Sequence, residues 1–318
     1  MEEKIVRGRF APSPSGRMHL GNLFSALLAW LSVRSAGGKL VLRMEDLDPD
    51  RCRSEYSRQL ADDLRWLGLN WDEGYEQGGG DGPYEQSGRT ALYAAAFQEL
   101  EGKGLVYPCY CTRAECLAAS APHRSDGQAI YDGRCRILTG EERSRLTQEG
   151  RRPAWRLAVP DRVISFTDVH LGPFAENLAR DCGDFIVRRS DGVYAYQLAV
   201  VVDDASMGIT QVVRGYDLLD STPRQLWLYE LLELTPPEFF HVPLLLAPDG
   251  RRLSKREKDL DVEALRRRFT AEEIIGKLAY LAGLQPAPAP SPAAALIPAF
   301  SWGKVPGEDI YVPDELWA

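Results

Sequence analysis

Within its first 46 residues the chain spells out a strand, a loop, a helix and a second strand, and few folds accept that order. Residues 5–10 alternate side chains as a strand does, and the turn Pro12-Ser13-Pro14-Ser15-Gly16 follows. Leu20, Leu23, Phe24, Leu27, Leu28 and Leu31 then recur at helical spacing. Gly37 and Gly38 close that helix, and residues 39–44 read as the next strand, which delivers Glu45 and Asp46 to its C-terminal end. Such a βαβ unit implies an α/β protein with a parallel sheet and right-handed crossovers.

Further helical spacing appears over 56–67 and 90–103. From 108 to 160 the pattern loosens into Cys, Gly, Arg and short apolar stretches, as expected of an inserted subdomain. Strand-like runs return at 184–187, 194–202 and 211–214, followed by a helix over 222–234. Pro248-Asp249-Gly250 is a turn, short helices follow, and the Pro/Ala-rich stretch 285–298 reads as a connector or a loosely packed tail. The expected division is therefore 1–107 and 161–246 as two halves of one sheet domain, 108–160 as the insertion, and 247–318 as a basic loop, a helical region and a tail. At roughly 150 residues per domain, 318 residues suit two domains or one large discontinuous one.

Thirty-eight Lys and Arg against 46 Asp and Glu leave a net charge of −8, so a nucleic acid must be met by a local basic face. One lies at 251–268, where Arg251, Arg252, Lys255, Arg256, Lys258, Arg266, Arg267 and Arg268 outnumber Glu257, Asp259, Asp261 and Glu263. The plainer reading is a solvated helical surface. No apolar run approaches the ~18 residues of a membrane span, and the start MEEKIVRGRF lacks a secretory pattern, so no membrane is expected and the cytoplasm is the expected compartment. The six cysteines are too few and too uneven for a disulfide framework. Cys52 and Cys182 stand alone and read as small buried residues, whereas Cys109 and Cys111 form a C-x-C pair followed by Cys116 and Cys135.

The loop Ala11-Pro12-Ser13-Pro14-Ser15-Gly16 runs into His19-Leu20-Gly21-Asn22 at a helix start, where free N–H groups and the helix dipole favour phosphate. Gly21 would let an adenine or ribose approach the backbone, and His19 would donate to an oxygen gaining charge; the plainer alternative makes His19 a capping residue. Far along the chain, Arg251-Arg252-Leu253-Ser254-Lys255-Arg256 forms a basic loop in which Lys255 would neutralise a triphosphate. Together the two segments resemble those of the class I aminoacyl-tRNA synthetases, with HLGN for HIGH and RLSKR for KMSKS. The blocks Arg9-Phe10-Ala11-Pro12-Ser13-Pro14-Ser15-Gly16, Arg43-Met44-Glu45-Asp46-Leu47-Asp48, Tyr196-Gln197-Leu198-Ala199-Val200-Val201-Val202-Asp203-Asp204 and Val213-Arg214-Gly215 narrow the resemblance to the glutamyl-tRNA synthetase patterns. It spans residues 5 to about 260 in order.

The resemblance implies a Rossmann-type (HUP) catalytic domain. It places ATP, with Mg²⁺, at His19, Gly21, Asn22, Ser254 and Lys255, His19 and Lys255 being the catalytic pair. It places glutamate at Arg9, Phe10, Ala11, Pro12, Ser13, Glu45, Tyr196 and Arg214. The chemistry agrees: Arg9 and Arg214 offer forked donors to two carboxylates, Glu45 suits an ammonium, and Tyr196 can donate or wall the pocket. The competing reading has Arg9 and Arg214 in salt bridges within the sheet. The implied reaction is attack of the glutamate α-carboxylate on the α-phosphorus of ATP, then attack of a nucleic-acid hydroxyl on the mixed anhydride, with no covalent enzyme intermediate.

Only about 60 residues follow Arg256, so the large helical anticodon-binding region of full-length glutamyl-tRNA synthetases is not expected. The chain is similar instead to the short branch, the glutamyl-Q tRNA(Asp) synthetases, which implies tRNA(Asp) carrying queuosine as partner. A monomer is the default. The C-x-C and Y-x3-C arrangement also resembles that branch and implies a structural Zn²⁺ on Cys109, Cys111 and Cys135. For a fourth ligand, chemistry prefers Cys116 or His123, since a phenol has a pKa near 10, while the family pattern falls on Tyr131 and favours it. Unmetallated cysteines are the bland alternative. Three rival functions share much of this sequence logic: a truncated glutamyl-tRNA synthetase charging the tRNA 3′ end, an idle tRNA-binding paralogue, and a small-molecule adenylate-forming ligase.

Overall fold

The computed structural model describes residues 5–112, 114–115, 130–251, 253 and 261–317. Ser254, Lys255, Cys116 and His123 lie outside the described residues. Strand β1 (Arg7–Phe10), helix α1 (Leu20–Ser35) and strand β2 (Lys39–Leu42) form the expected βαβ unit. Helix α2 (Ser54–Trp66), the short strand β3 (Glu73–Gly74) and helix α3 (Thr90–Gly102) follow. Helix α1 lies so close to the sheet that a Cβ on Gly8 would fall 2.3 Å from Val33 Cγ2. Leu23, Leu27, Leu28 and Leu31 are fully buried on it, each contributing about 2 kcal/mol relative to exposure.

The chain then leaves the parallel sheet. Strand β4 (Val106–Cys109) and, after helix α4 (Gly140–Gln148), strand β5 (Ala154–Leu157), a β6–β7 hairpin (Val163–Asp168, Gly172–Asn177) and strand β8 (Phe185–Arg188) are all antiparallel. Because β5 pairs with β8, a boundary at 160 would cut this three-stranded sheet, and the antiparallel layer runs to Arg188. Short strands of mixed polarity give no repeating signal over 160–180, which is why the boundary reads too early from sequence.

Helix α5 (Tyr196–Ser206) replaces the strand expected over 194–202. Residues 198–204 are all buried, so a helix covered on every side shows neither the two-residue nor the 3.6-residue repeat. Strand β9 (Gln211–Gly215), helix α6 (Ser221–Leu231) and strand β10 (Glu238–Val242) complete the main sheet, ordered β10-β9-β1-β2-β3 and parallel throughout.

Past β11 (Leu245–Leu246) come helices α7 (Val262–Arg266) and α8 (Ala271–Leu281) and strand β12 (Ile310–Tyr311), which pairs in parallel with β11. The Pro/Ala-rich stretch is not a loose tail. Ala293 and Leu296 are buried in the main core, and Ala289 lies so close to Gly276 that a Cβ there would overlap its carbonyl oxygen at 2.0 Å. Trp302 donates to Ser32 on α1 at 3.1 Å and packs on Phe240. Alanine and proline are low-entropy packing residues, so the composition that reads as a connector also suits close contact. Cys52 and Cys182 are half-buried rather than buried. Among the described residues no helix is long and apolar enough to cross a membrane.

Candidate active site

The C-terminal ends of β1, β2 and β9 and the N-terminus of α1 converge on a cleft of about 660 Å³. Ligands of open parallel sheets bind at this edge. Every described residue expected to bind glutamate lines it: Arg9, Phe10, Ala11, Pro12, Ser13, Glu45, Tyr196 and Arg214. So do His19, Gly21 and Asn22, together with Leu253 from the stem of the basic loop.

At the α1 end, His19 is both a cleft residue and the helix cap. Its Nδ1 accepts from the Gly21 N–H at 3.2 Å, and the Asn22 side chain accepts from the His19 N–H at 3.2 Å, closing a capping box. With Nδ1 as acceptor, the neutral ring carries its proton on Nε2. A Cβ on Gly21 would lie 3.1 Å from His19 Cε1, so here the glycine makes room for the histidine rather than for a nucleotide. Asn22, where the family motif has its second histidine, is explained by the cap it completes.

Beneath the cleft floor lies a buried ionic network. Arg43, fully buried, donates to Asp204 at 2.7 Å and to Glu45 at 3.2 Å, with Asp203 3.6 Å away. Arg89 and Gln86 hold Asp203 at 2.6 and 2.8 Å, and Tyr93 donates to it. Arg9 lies 3.5 Å from Asp204 and donates to the Val213 carbonyl at 3.3 Å. Burial raises the Glu45 carboxyl against the pull of Arg43 and Arg9, leaving an acidic group that gains from a further cation.

Arg214 is different. It is 5% exposed, yet among the described residues no carboxylate lies within ion-pair distance of it. Its Nε donates to His241 Nε2 at 3.0 Å, Nη1 to Gln225 Oε1 at 2.8 Å and Nη2 to Thr222 Oγ1 at 2.7 Å, all neutral acceptors. Burial lowers its pKa, as expected of a cation whose counter-ion is missing. The in-sheet salt bridge expected as the bland alternative thus describes Arg9 in part and not Arg214. Sequence reading missed Thr222, Gln225, His241 and Asp168 behind it, because no local spacing marks partners drawn from separate elements.

A second hollow of about 310 Å³ opens on the other side of Ser13, Ser15, Glu45 and Tyr196, lined also by Asp48, Arg51 and Arg189. The described arginines of the expected basic face are largely occupied within the fold: Arg266 on Asp62 and Asp63, Arg267 on Glu263, Arg251 on Asp249, and Arg268 on the Trp317 carbonyl.

Away from the cleft, the sulfur atoms of Cys109, Cys111 and Cys135 all lie within 4.8 Å of one another. The Tyr131 hydroxyl is 3.4 Å from Cys109 Sγ and 3.8 Å from Cys111 Sγ, spacings that suit four ligands around one tetrahedral ion. Arg156 donates to Cys109 Sγ at 3.2 Å and stacks 3.7 Å over the Tyr131 ring, offsetting the charge that thiolates would bring. Burial pushes the Cys111 thiol up to about 12 and the Tyr131 phenol well above its ordinary value, so a metal must displace protons to bind.

Known proteins resemble this chain over most of its length. The family model for "tRNA synthetases class I (E and Q), catalytic domain" matches residues 5–287. A protein named glutamyl-Q tRNA(Asp) synthetase from Nitratidesulfovibrio vulgaris is 52% identical over 98% of this chain and 97% of its own length. One of the same name from Symbiobacterium thermophilum is 52% identical with the same coverage of both chains. The crystal structure of a glutamate tRNA ligase from Elizabethkingia meningosepticum in complex with its amino acid superimposes with a TM-score of 0.83 at 28% identity, covering 99% of this chain and 68% of that one. The matched family model and two near-full-length relatives lead to one conclusion: the chain belongs to the class I tRNA synthetases of the E and Q type, and within them to the glutamyl-Q tRNA(Asp) synthetase family.

Proposed function

We propose that the protein activates L-glutamate with ATP to glutamyl-AMP, without needing tRNA for that step, and then transfers the glutamyl group to the queuosine base in the anticodon of tRNA(Asp). The observation that carries the first half is the pairing of opposites in one cleft: a buried guanidinium lacking a contacting carboxylate, Arg214, and a half-buried carboxylate, Glu45, whose pKa stays raised despite Arg43. Glutamate satisfies both. Its carboxylates go to Arg214 and Arg9 and its ammonium to Glu45, while Tyr196 closes one wall and Phe10, Ala11, Pro12 and Ser13 supply the loop beneath it.

ATP, brought with Mg²⁺, takes the α1 terminus, where His19 faces the cleft, its ring held by the Gly21 N–H and its backbone N–H by Asn22. Ser254 and Lys255 are assigned to the triphosphate on family resemblance. An α-carboxylate oxygen attacks the α-phosphorus and pyrophosphate departs; a queuosine hydroxyl then attacks the carbonyl carbon and AMP departs. The residues position and neutralise, which can supply several orders of magnitude without a covalent intermediate. The second hollow, sharing Glu45 and Tyr196 with the first, gives the acceptor a route to the activated carbonyl. The proposal keeps the monomer as working unit and the cytoplasm as compartment, the expectations drawn from the sequence.

The queuosine assignment is supported by near-full-length relatives of that name. Labelled glutamate offered with tRNA(Asp) that carries or lacks queuosine tests it: label should appear only with the modified base and leave under mild base. Label on the 3′ end of tRNA would overturn the acceptor and leave the activation step standing.

Tyr131, Cys109, Cys111 and Cys135 are the proposed holders of one Zn²⁺, which would staple an insertion with little core of its own. Purified protein should carry about one zinc per chain, and Cys111→Ser should lower zinc affinity at least tenfold and release fewer protons on metal addition. Wild-type protein that binds no zinc in a chelator-buffered titration would remove the site.

A further inference from the structure

We propose that Asp168 and His241 are positioning residues for Arg214, holding its guanidinium in place through a single imidazole tautomer. This deepens the glutamate reading of the cleft and rests on it. His241 is the register partner of Arg214 on the adjacent parallel strands β10 and β9. Arginine Nε carries one hydrogen, and Nε lies 3.0 Å from His241 Nε2, so that ring nitrogen must present a lone pair. The ring proton therefore sits on Nδ1, which lies 2.6 Å from Asp168 Oδ2. Only the Nδ1–H tautomer satisfies both contacts.

The carboxylate at the far end cannot turn. Asp168, at the end of β6, accepts backbone N–H groups from His170, Leu171 and His241 at 2.9 to 3.3 Å and is 1% exposed. The imidazole cannot turn either, being fully buried and stacked on Phe239 with Phe166 alongside. The charged groups facing it are Asp168 from the hairpin and Arg214 from β9, while α6 presents the neutral Thr222. With Gln225 and Thr222 on the terminal nitrogens, the guanidinium plane is fixed at three points. Its nearest anchoring anion stands one ring away, close enough to orient the cation and too far to neutralise it in the way a contacting carboxylate would. The cleft face of Arg214 is thereby kept for a ligand carboxylate. A planar acid is matched, and the corresponding amide leaves the cation unmet.

Protonating His241 would set N–H against N–H beside a second buried cation, and burial with Arg214 already drives its pKa below the ordinary value despite Asp168. The relay is thus insensitive to pH across the neutral range.

Two measurements test it. In Asp168→Asn the new amide N–H faces Nδ1 and favours the opposite tautomer, turning an N–H toward Arg214. In ATP–pyrophosphate exchange its KM for glutamate should rise about 10- to 100-fold, with kcat and the ATP KM within about twofold, and preference for glutamate over glutamine should fall in parallel. An unchanged glutamate KM, or equal losses in both KM values and kcat, overturns the proposal. Independently of whether that variant folds, ¹⁵N spectra of histidine-labelled wild-type protein should show His241, assigned by its loss in His241→Asn, protonated on Nδ1 and not titrating above about pH 7. A titrating ring or an Nε2–H tautomer overturns it. If wild-type protein shows no glutamate-dependent exchange, the glutamate reading fails, and the spectrum still decides the tautomer.

Discussion

Arg214→Ala is expected to remove glutamate-dependent ATP–pyrophosphate exchange, with kcat/KM falling roughly 10²- to 10⁴-fold. The size follows from burial. A forked pair with a carboxylate in a desolvated cleft is much stronger than one in water, and its loss leaves the ligand carboxylate buried without a partner, at a cost of about 3–5 kcal/mol. The fold should tolerate the change better than activity does, because the side chain is bonded only to neutral groups. Arg214→Lys should recover little: an ammonium is a point charge and cannot serve His241, Gln225, Thr222 and a carboxylate together. Retained exchange in the alanine variant would take Arg214 out of the pocket.

The second large effect falls on stability. Arg43→Met should lower the unfolding free energy by about 3–5 kcal/mol, a large share of the 5–15 typical of a domain. Arg43 faces the buried Asp204 and Asp203 and the half-buried Glu45, and its own pKa is raised above the ordinary value although burial opposes this. Removing it leaves three carboxylates to Arg9 and Arg89. The deficit should shrink as pH falls toward 5. Glu45 already titrates above its ordinary value in the folded state, and without Arg43 it moves higher, so the folded chain takes up a proton that the unfolded chain does not bind. Urea unfolding at two pH values reads both effects, and a loss below about 1 kcal/mol at neutral pH would contradict the network's role.

The parts of the site legible from sequence are those whose chemistry is local. The β1–α1–β2 unit carries Arg9, His19 and Glu45 within a few dozen residues, and strand, turn and helix periods each leave a mark there. Tyr196 and Arg214 were reachable through motif blocks rather than through spacing. The α5 helix was misread because burial on all sides erases periodicity, and with it went the meaning of Asp203 and Asp204, which face arginines on other elements. The relay behind Arg214 joins residues 73 and 27 positions apart, so only the folded chain brings them together. Zinc-ligand spacing brought Cys109, Cys111 and Cys135 together, whereas Tyr131 owed its place to resemblance alone until the folded chain set its hydroxyl among the sulfurs.

The strand pair β11–β12 has a practical consequence. Leu245 and Leu246, which lead into the basic segment bearing Ser254 and Lys255, are gripped by Ile310 and Tyr311. The root of that segment is thus held by residues far along the chain, so substitutions at Ile310 or Tyr311 bear on how Leu245 and Leu246 are seated and not on an idle surface.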